Sequence, residues 1–240
     1  MEPEIHVGTL DALLRRLADD FGAEAERARA RRGFVAVAIP GGSVAVHVFP
    51  ALAALPLPWD RVHFFWVDER AVPPSDPASN YAVAHTRWLG PGRVPVGSIH
   101  RMPADGPDLA EAAVAYGREL TRVLGAPARL DFVLLGVGSD GHVASLFPGH
   151  PALSEERQMV VPVVDAPRPP ARRLTLTLPL LAGAERVVVM AFGEPKAAAI
   201  HEAIEQRDSP LPMALVLRRA GRSLVLVDEG AASRMGRHRC

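Results

Sequence analysis

The sequence contains only one cysteine, Cys240, among its 240 residues. A single thiol cannot form an intramolecular disulfide or a zinc site built from several cysteines. The chain is therefore not a small scaffold held together by disulfides. A reducing compartment is the default location for a sequence with so little cysteine, and we expect a cytoplasmic protein.

An excess of charge of either sign is also missing, because 27 Lys and Arg residues balance 27 Asp and Glu residues. Nucleic-acid-binding proteins commonly carry a basic excess or a basic patch. No apolar run is long enough to cross a bilayer, and the acidic stretch MEPEIHVGTLDALL does not resemble a signal peptide. We therefore expect neither nucleic acid nor membrane as a partner.

Lysine is almost absent, since every Lys or Arg residue except Lys196 is an arginine. A coding bias against lysine explains most of this pattern. The one remaining lysine is then retained either by chance or because its position requires a lysine. Lysine differs from arginine in offering a compact point charge. Lys196 follows an apolar run and lies in the first turn of a predicted helix, where the helix dipole disfavours a cation. This position favours an anionic partner for Lys196.

What the chain does contain is a regular alternation of apolar runs and helical patterns. The apolar runs are FVAVAIP, RVHFFWV, DFVLLGV and RVVVMAF, and the first helix is predicted from about Thr9 to Arg32. Strands that are apolar on both faces are typical of a parallel sheet covered by helices on both sides. The sequence predicts a single α/β domain over 1–240, with a doubly wound, mostly parallel sheet of Rossmann type and a frayed tail at 231–240.

Each predicted strand ends in a polar or glycine-rich loop. In open parallel sheets the ligand lies beyond the carboxyl ends of the strands. We therefore predict one site built from five segments: Gly41–Ser43, Asp68–Arg70, Gly138–His142, Arg173 and Gly193–Lys196.

The stretch GVGSDG, residues 136–141, matches the G-x-G-x-x-G pattern of dinucleotide-binding proteins. Such a site needs the pyrophosphate at the start of a long helix. Here Asp140 would face that anion, and Pro148 cuts short the helical stretch HVASLF. The competing interpretation is a general base at His142, because its ordinary pKa is near neutral and Asp140 can orient the ring. A third interpretation is that His142 only caps the turn.

A glycine pair followed by serine begins the next predicted helix, SVAVHVFPAL. The N–H groups of Gly41 and Gly42 and the hydroxyl of Ser43 could hold a phosphate at this helix start. The alternative is a tight turn in which Ser43 is the helix cap.

The sequence DER, from Asp68 to Arg70, follows the apolar run FFWV directly. Arg70 could bind a phosphate or a developing oxyanion, or it could form a surface ion pair. Its two carboxylate neighbours lack a second cluster at metal-ligand spacing, so we predict no metal site. Arg173 could supply a further cation. Together these elements indicate a phosphorylated small metabolite and hydrolytic or proton-transfer chemistry.

At this point the sequence resembles the 6-phosphogluconolactonases of the oxidative pentose phosphate pathway. The resemblance runs from about Phe34 to Gly230 through a series of stretches in the order of that family: FFWVDERAVPPSDPASNY, LLGVGSDGHVASLFPGHP, RRLTLTLPLL, VVVMAFGEPKAAAI, LPMALVL and VDEG. It implies the α/β fold shared with glucosamine-6-phosphate deaminases. It also implies hydrolysis of 6-phospho-D-glucono-1,5-lactone to 6-phospho-D-gluconate without a cofactor.

The resemblance also implies roles for individual residues. His142 would activate water with Asp140 beside it, and Arg70 would contact the substrate. The phosphate contacts would come from the loop and two cations: Gly42, Ser43, Arg173 and Lys196. One departure is that the family's glycine loop commonly continues Ser-Thr-Pro, whereas Val44 follows Ser43 here.

Two alternatives stay open. An amino-sugar-phosphate deaminase or isomerase of the same fold uses a Glu shortly after the D-G-H motif, and the stretch VASLFPG has no carboxylate there. A sugar-phosphate sensor domain would accompany a DNA-binding module, and only one helix precedes the first predicted strand. We expect the enzyme, acting as a monomer on a small sugar-phosphate lactone.

Overall fold

The predicted apolar runs lie side by side in a computed structural model that describes residues 2–236. The strands are β1 (Glu4–Val7), β2 (Val35–Ile39), β3 (Val62–Trp66), β4 (Asp68–Arg70), β5 (Phe132–Gly136), β6 (Val160–Val163), β7 (Arg173–Leu176), β8 (Arg186–Ala191) and β9 (Ser223–Val227). Six of them form a parallel sheet in the order β1-β9-β8-β5-β2-β3. The other three form a small antiparallel sheet in the order β4-β7-β6.

Helices connect the strands of the parallel sheet, as right-handed crossovers between parallel strands require. They are α1 (Leu10–Arg32), α2 (Gly42–Ala53), α3 (Asn80–Ala84), α4 (Leu109–Leu124), α5 (Leu178–Ala182), α6 (Ala197–Glu205), α7 (Pro212–Arg219) and α8 (Glu229–Ala232). Every residue of β2, β8 and β9 is buried, so both faces of the sheet are covered. The predicted doubly wound α/β fold is confirmed.

The predicted first helix is also confirmed, and its ends follow from local chemistry. The Thr9 hydroxyl accepts a hydrogen bond from the Ala12 N–H at 3.4 Å, which caps the helix start. Gly33 ends the helix with a φ of 83°, a conformation that glycine adopts without a steric penalty.

Several elements differ from the sequence prediction. β1 was not predicted, because its four residues are only partly buried at the outer edge of the sheet. The run RVHFFWVDER is split, and its last three residues leave the parallel sheet to pair with β7. The stretch HVASLF forms no helix at all; isolated bridges hold Val143 to Val137 and Leu146. α2 begins at Gly42 with Gly41 as its cap, so the Ser43 cap is wrong.

The single-domain prediction over 1–240 stays a prediction, as does the frayed tail at 231–240, of which residues 237–240 lie outside the described residues. α8 occupies Glu229–Ala232, and Ala231 is fully buried. Within residues 2–236 no helix combines the length and apolar character that a membrane crossing requires.

The amino ends of the strands carry a dense set of ion pairs built on buried carboxylates, which we call the amino-edge network. Three buried carboxylates lie at its centre: Asp20, Glu24 and Asp131. Asp131 accepts hydrogen bonds from Arg31 at 2.5 Å, from Arg32 and from the Ala36 N–H at 2.8 Å. Arg186 binds Asp20 at 2.7 and 2.9 Å, and Arg222 binds Glu24 at 3.0 Å. The network ties α1 to β2, β5, β8 and the start of β9.

Candidate active site

A cleft lies at the opposite edge, beyond the carboxyl ends of the parallel strands, as the strand-end rule predicts. It draws at least one residue from each of the five predicted segments. The polar and glycine residues that line it are Gly41, Gly42, Ser43, Asp68, Arg70, Gly136, Gly138, His142, Arg168, Arg173 and Lys196. Asp140 does not line the cleft but lies behind His142.

His142 and Asp140 form a hydrogen-bonded pair, with 2.5 Å between His142 Nδ1 and Asp140 Oδ1. An ionised carboxylate only accepts hydrogen bonds, so Nδ1 carries the proton and Nε2 has a free lone pair. No group in the described part of the chain is hydrogen-bonded to Nε2. The Phe147 ring packs against the imidazole with 4.7 Å between centroids. The ring is thus held on one side and free to accept a proton on the other.

Burial lowers the pKa of His142 from its ordinary value, and it outweighs the opposing pull of the Asp140 carboxylate. For Asp140, burial acts to raise the pKa, but the hydrogen bond and charge of His142 prevail and lower it. Both directions favour the same state at neutral pH, a neutral imidazole beside an ionised carboxylate. That is the state a general base requires.

The glycines of GVGSDG explain how this pair fits the loop. A Cβ on Gly138 would lie 2.0 Å from His142 Nδ1 and 2.4 Å from Asp140 Oδ1. Gly141 has a φ of 79°, and a Cβ there would lie 2.8 Å from Leu211. Val143 and Leu146, which follow the loop directly, form isolated bridges and not a helix, so the loop lacks the helix start that a pyrophosphate requires. The glycines make room for the His–Asp pair.

The start of α2 forms a concentration of free backbone donors. Gly42, Ser43 and Val44 occupy the first helical positions, whose N–H groups have no partner inside the helix. No acceptor among residues 2–236 bonds these three N–H groups. Gly42 has a φ of 69°, which is typical of a backbone nest for anions. With the cap residue, this anion cradle consists of Gly41 to Val44.

Packing around the cradle restricts which residues can occupy it. A Cβ on Gly41 would lie 1.7 Å from Asn80 Oδ1, so only glycine fits. Val44 is buried, and its side chain packs against Gly136. Valine has the shape of threonine, so Val44 exchanges a hydroxyl for a methyl group at this buried position, and the N–H groups of the cradle are unaffected.

The carboxylates of the DER segment are buried, which excludes the interpretation as a surface ion pair. Glu69 accepts hydrogen bonds from the N–H groups of Arg70, Asn80 and Tyr81 at 2.7 to 2.8 Å. Burial nevertheless raises the pKa of Glu69. Asp68 Oδ2 accepts from the Ser145 hydroxyl at 2.6 Å, and its Oδ1 accepts from Asn80 at 3.1 Å. Both carboxylates brace the cleft wall.

Arg173 lies at the cleft, but most of its N–H groups are engaged by the protein. Nε donates to Pro170 O at 2.8 Å, and Nη2 donates to Arg168 O and Pro169 O at 2.9 and 3.4 Å. Nη1 donates to the Ser145 hydroxyl at 3.3 Å. The guanidinium also lies 5.5 Å from the centroid of the Phe147 ring. One N–H at Nη1 is left for a ligand.

The other two predicted cations, Lys196 and Arg70, have fewer partners within the protein than Arg173 has. The side-chain ammonium of Lys196 lines the cleft and forms no ion pair or hydrogen bond within residues 2–236. Burial and the charge of Arg168 lower the pKa of Lys196. Arg70 donates to Ala78 O at 2.7 Å and presents the rest of its guanidinium toward the cleft.

Arg168 is the cleft residue that the sequence reasoning missed. It lies in a proline-rich loop, DAPRPP, that no strand-end argument selects. The cleft and the His142–Asp140 pair together hold four cations (Arg70, Arg168, Arg173, Lys196) and two carboxylates (Asp68, Asp140). Two positive charges are therefore in excess. This balance suits a phosphate dianion. In the described part of the chain, no group of three or more His, Cys, Asp or Glu side chains is arranged to hold a metal.

Comparison with known proteins extends this picture. Residues 8–225 match the family model described as glucosamine-6-phosphate isomerases/6-phosphogluconolactonase. The chain is 37% identical to a rat 6-phosphogluconolactonase over 208 residues, covering 84% of this chain and 80% of the relative. It is also 37% identical to a 6-phosphogluconolactonase of Mycobacterium tuberculosis over 231 residues, covering 92% of both chains.

The fold matches solved structures as well. The crystal structure of 6-phosphogluconolactonase from Thermotoga maritima superposes with a TM-score of 0.84 at 26% identity, covering 95% of this chain and all of that one. The 6-phosphogluconolactonase from Trypanosoma cruzi superposes with a TM-score of 0.87 at 25% identity, covering 98% of both chains.

Proposed function

The chain belongs to the family of glucosamine-6-phosphate isomerases and 6-phosphogluconolactonases, and from that premise we propose that it hydrolyses 6-phospho-D-glucono-1,5-lactone to 6-phospho-D-gluconate. It is a carboxylic ester hydrolase, and its reaction belongs to the oxidative pentose phosphate pathway. One observation carries the proposal: the His142–Asp140 pair presents a free Nε2 to a cleft that has an excess of positive charge.

Substrate binding starts with the phosphate. The free N–H groups of the anion cradle and the ammonium of Lys196 supply charge-assisted hydrogen bonds to the phosphate oxygens. The last free N–H of Arg173 adds to these. Holding the phosphate at the cradle leaves the lactone ring to extend toward His142, so that the reacting carbonyl is oriented before chemistry begins.

The chemical step begins at His142. Its Nε2 takes a proton from a water molecule while the water oxygen attacks the lactone carbonyl carbon. Asp140 holds the Nδ1 proton and stabilises the imidazolium that forms. The carbonyl oxygen becomes an oxyanion, which the guanidinium of Arg70 stabilises.

The tetrahedral intermediate then collapses. The bond from the carbonyl carbon to the ring oxygen breaks, and the imidazolium of His142 returns its proton to that oxygen as it leaves. The product is the open-chain acid with its phosphate still in the cradle. His142 is again neutral, so no other proton donor or acceptor is needed. This acid–base cycle needs no metal or organic cofactor.

The deaminase alternative lacks support at the corresponding position. Residues 143–149, which follow His142, contain no carboxylate that could help to open a sugar ring. A sensor function without catalysis would not require the neutral, oriented base that the His142–Asp140 pair forms.

The finer parts of the proposal are a cytoplasmic location, a monomeric state and no nucleic-acid partner. The lack of disulfide-forming cysteines supports the cytoplasmic location, and the balanced net charge supports the absence of a nucleic-acid partner. Light scattering on the purified protein tests the monomer, and retention on a DNA column at moderate salt would contradict the third part.

The direct test is a substrate panel with spontaneous ring opening subtracted. We expect rapid hydrolysis of freshly prepared 6-phosphogluconolactone, a kcat/KM lower by about 10²-fold or more for the unphosphorylated gluconolactone, and no ammonia from glucosamine 6-phosphate. The absence of turnover above the spontaneous rate would overturn the proposal. Ammonia release would instead favour the deaminase.

A further inference from the structure

The loop that carries Arg168 is unusually well fixed for a surface segment. The Ala166 N–H donates to Ala171 O at 3.0 Å and closes the loop on itself. Inside it, the buried guanidinium of Arg173 donates to the carbonyl groups of Arg168, Pro169 and Pro170. The backbone at 168 is therefore held in place relative to β7, which begins at Arg173.

The side chain of Arg168 reaches from this fixed loop to the loop of the catalytic pair. Its Nη2 donates to the Ser139 hydroxyl at 3.1 Å and lies 3.5 Å from Asp140 Oδ2. Asp140 Oδ1 is the oxygen that binds His142. Each carboxylate oxygen of Asp140 thus has its own cationic or imidazole neighbour.

We propose that Arg168 is a positioning residue that acts on His142 through Asp140, holding Oδ2 so that Oδ1 stays on the imidazole. The proposal rests on the proposed function, in which His142 is the base. Ser139 is the second support, since its hydroxyl keeps the guanidinium over the pair. Arg173 places Arg168 by fixing its backbone.

The charge of Arg168 adds a second effect. A cation near the pair disfavours the imidazolium and contributes to the lowered pKa of His142, after the larger effect of burial. The other charged groups that face the imidazole are Asp140 and Asp68, which oppose this effect. Arg70, Arg173 and Lys196 line the same cleft. Among these cations, only Arg168 forms an ion pair with Asp140.

A role in phosphate binding is the competing possibility, because Arg168 also lines the cleft and is about half exposed. The two roles predict different kinetics. A phosphate ligand changes KM and leaves the pH profile in place. A residue that acts on the base moves the profile, because it changes the proton affinity of the group that titrates.

The experiment measures kcat and KM for 6-phosphogluconolactone from pH 5 to 8 in the wild type, R168Q, R168K and S139A. Loss of the cation in R168Q removes a charge that disfavours the imidazolium, so the acid limb of kcat should move upward by about half a pH unit or more. R168K, which keeps the charge, should leave the acid limb near its wild-type position, and S139A should give a smaller shift than R168Q in the same direction. Arg172→Gln is the matched control, because Arg172 follows the same loop and its side chain donates to Pro107 O and not to Asp140, so its profile should be unchanged.

A raised KM in R168Q with an unmoved acid limb would overturn the proposal and make Arg168 a phosphate ligand. An equal shift in R168K and R168Q would also contradict it, because the charge would not matter. If R168Q does not fold, S139A carries the same test. An inactive wild type would reject the lactonase function itself, which is a different result from any of these.

Discussion

The two ends of the parallel sheet use the same chemical groups for opposite purposes. At the amino ends, the buried carboxylates of the amino-edge network are matched by arginines at hydrogen-bond distance, as in the pairs of Asp131 with Arg31 and of Asp20 with Arg186. At the carboxyl ends, Lys196 has no partner in the described part of the chain, and the N–H groups of the anion cradle are also free.

The two edges differ in whether their charges are compensated by a partner within the protein. Buried charges that are fully paired fix the geometry of the fold, and removing one partner leaves the other uncompensated. Burial and, after it, the charge of Arg168 lower the pKa of Lys196, so this unpaired ammonium is destabilised until an anion arrives. We therefore propose that the amino edge serves folding and that the carboxyl edge serves binding and catalysis.

The largest effect is expected at the carboxyl edge, in His142→Ala. Loss of general-base catalysis should lower kcat by about 10² to 10⁴-fold. Binding of the product, 6-phosphogluconate, should persist, because its phosphate rests on the cradle and the cations. Steady-state kinetics measures the loss of kcat, and calorimetric titration measures the binding of the product. A variant with near wild-type turnover would exclude His142 as the general base.

The amino edge should respond in the opposite way. Asp131→Asn removes the charge that Arg31 and Arg32 share, while the Ala36 N–H keeps an acceptor. We expect a loss of about 2 to 3 kcal/mol in the free energy of unfolding, with unchanged kcat per folded molecule. Denaturant titration and kinetics on the folded protein test this separation. A large fall in kcat with normal stability would break the comparison.

Lys196→Met should lower activity without lowering stability, which is the reverse of the effect expected for Asp131→Asn. The loss of one charge-assisted contact to the phosphate predicts a fall of about 10 to 100-fold in kcat/KM. The free energy of unfolding should stay equal or rise, because burial of this unpaired ammonium opposes its charge. Lys196→Arg, which keeps the charge, serves as the control. Destabilisation of the Met variant would mean that Lys196 has a structural partner.

The smallest effect is expected from two histidines that take no part in the ion pairs of the amino-edge network. His63 Nδ1 lies 2.8 Å from His100 Nε2, and burial lowers the pKa of both imidazoles. The folded state then binds fewer protons than the unfolded state below about pH 6.5. Stability should therefore fall as the pH drops from 7 to 5, by less than about 1 kcal/mol from this pair. His63→Gln should flatten the curve, and an unchanged slope would assign it to other groups.

The position of the site could be predicted because it depends on a general property of parallel sheets. The strand-end rule selects Gly41–Ser43, Asp68, Arg70, His142, Arg173 and Lys196, and all of them line one cleft. The proximity of His142 and Asp140 is also local, since only Gly141 separates them along one loop. The family resemblance and the fold were both confirmed by comparison.

Contacts made only by the folded chain could not be predicted. Arg168 reaches Asp140 from a loop fixed by hydrogen bonds to Arg173, and no sequence pattern reports those bonds. Glu69 is buried under the start of α3 because β4 leaves the parallel sheet that contains β3. The run RVHFFWVDER shows no break at this point, so the sequence does not reveal the change of sheet. β1 is identified as a strand by its parallel pairing with β9, which its short sequence does not predict.

We expect the free charges of the carboxyl edge to hold the phosphate and the paired charges of the amino edge to take no part in binding it. The most direct test is calorimetric titration of 6-phosphogluconate into the wild type, Lys196→Met and Arg222→Gln, the last of which alters a paired arginine of the amino-edge network. We predict at least about tenfold weaker binding in Lys196→Met and unchanged binding in Arg222→Gln. Equal affinity in the wild type and Lys196→Met would contradict the account.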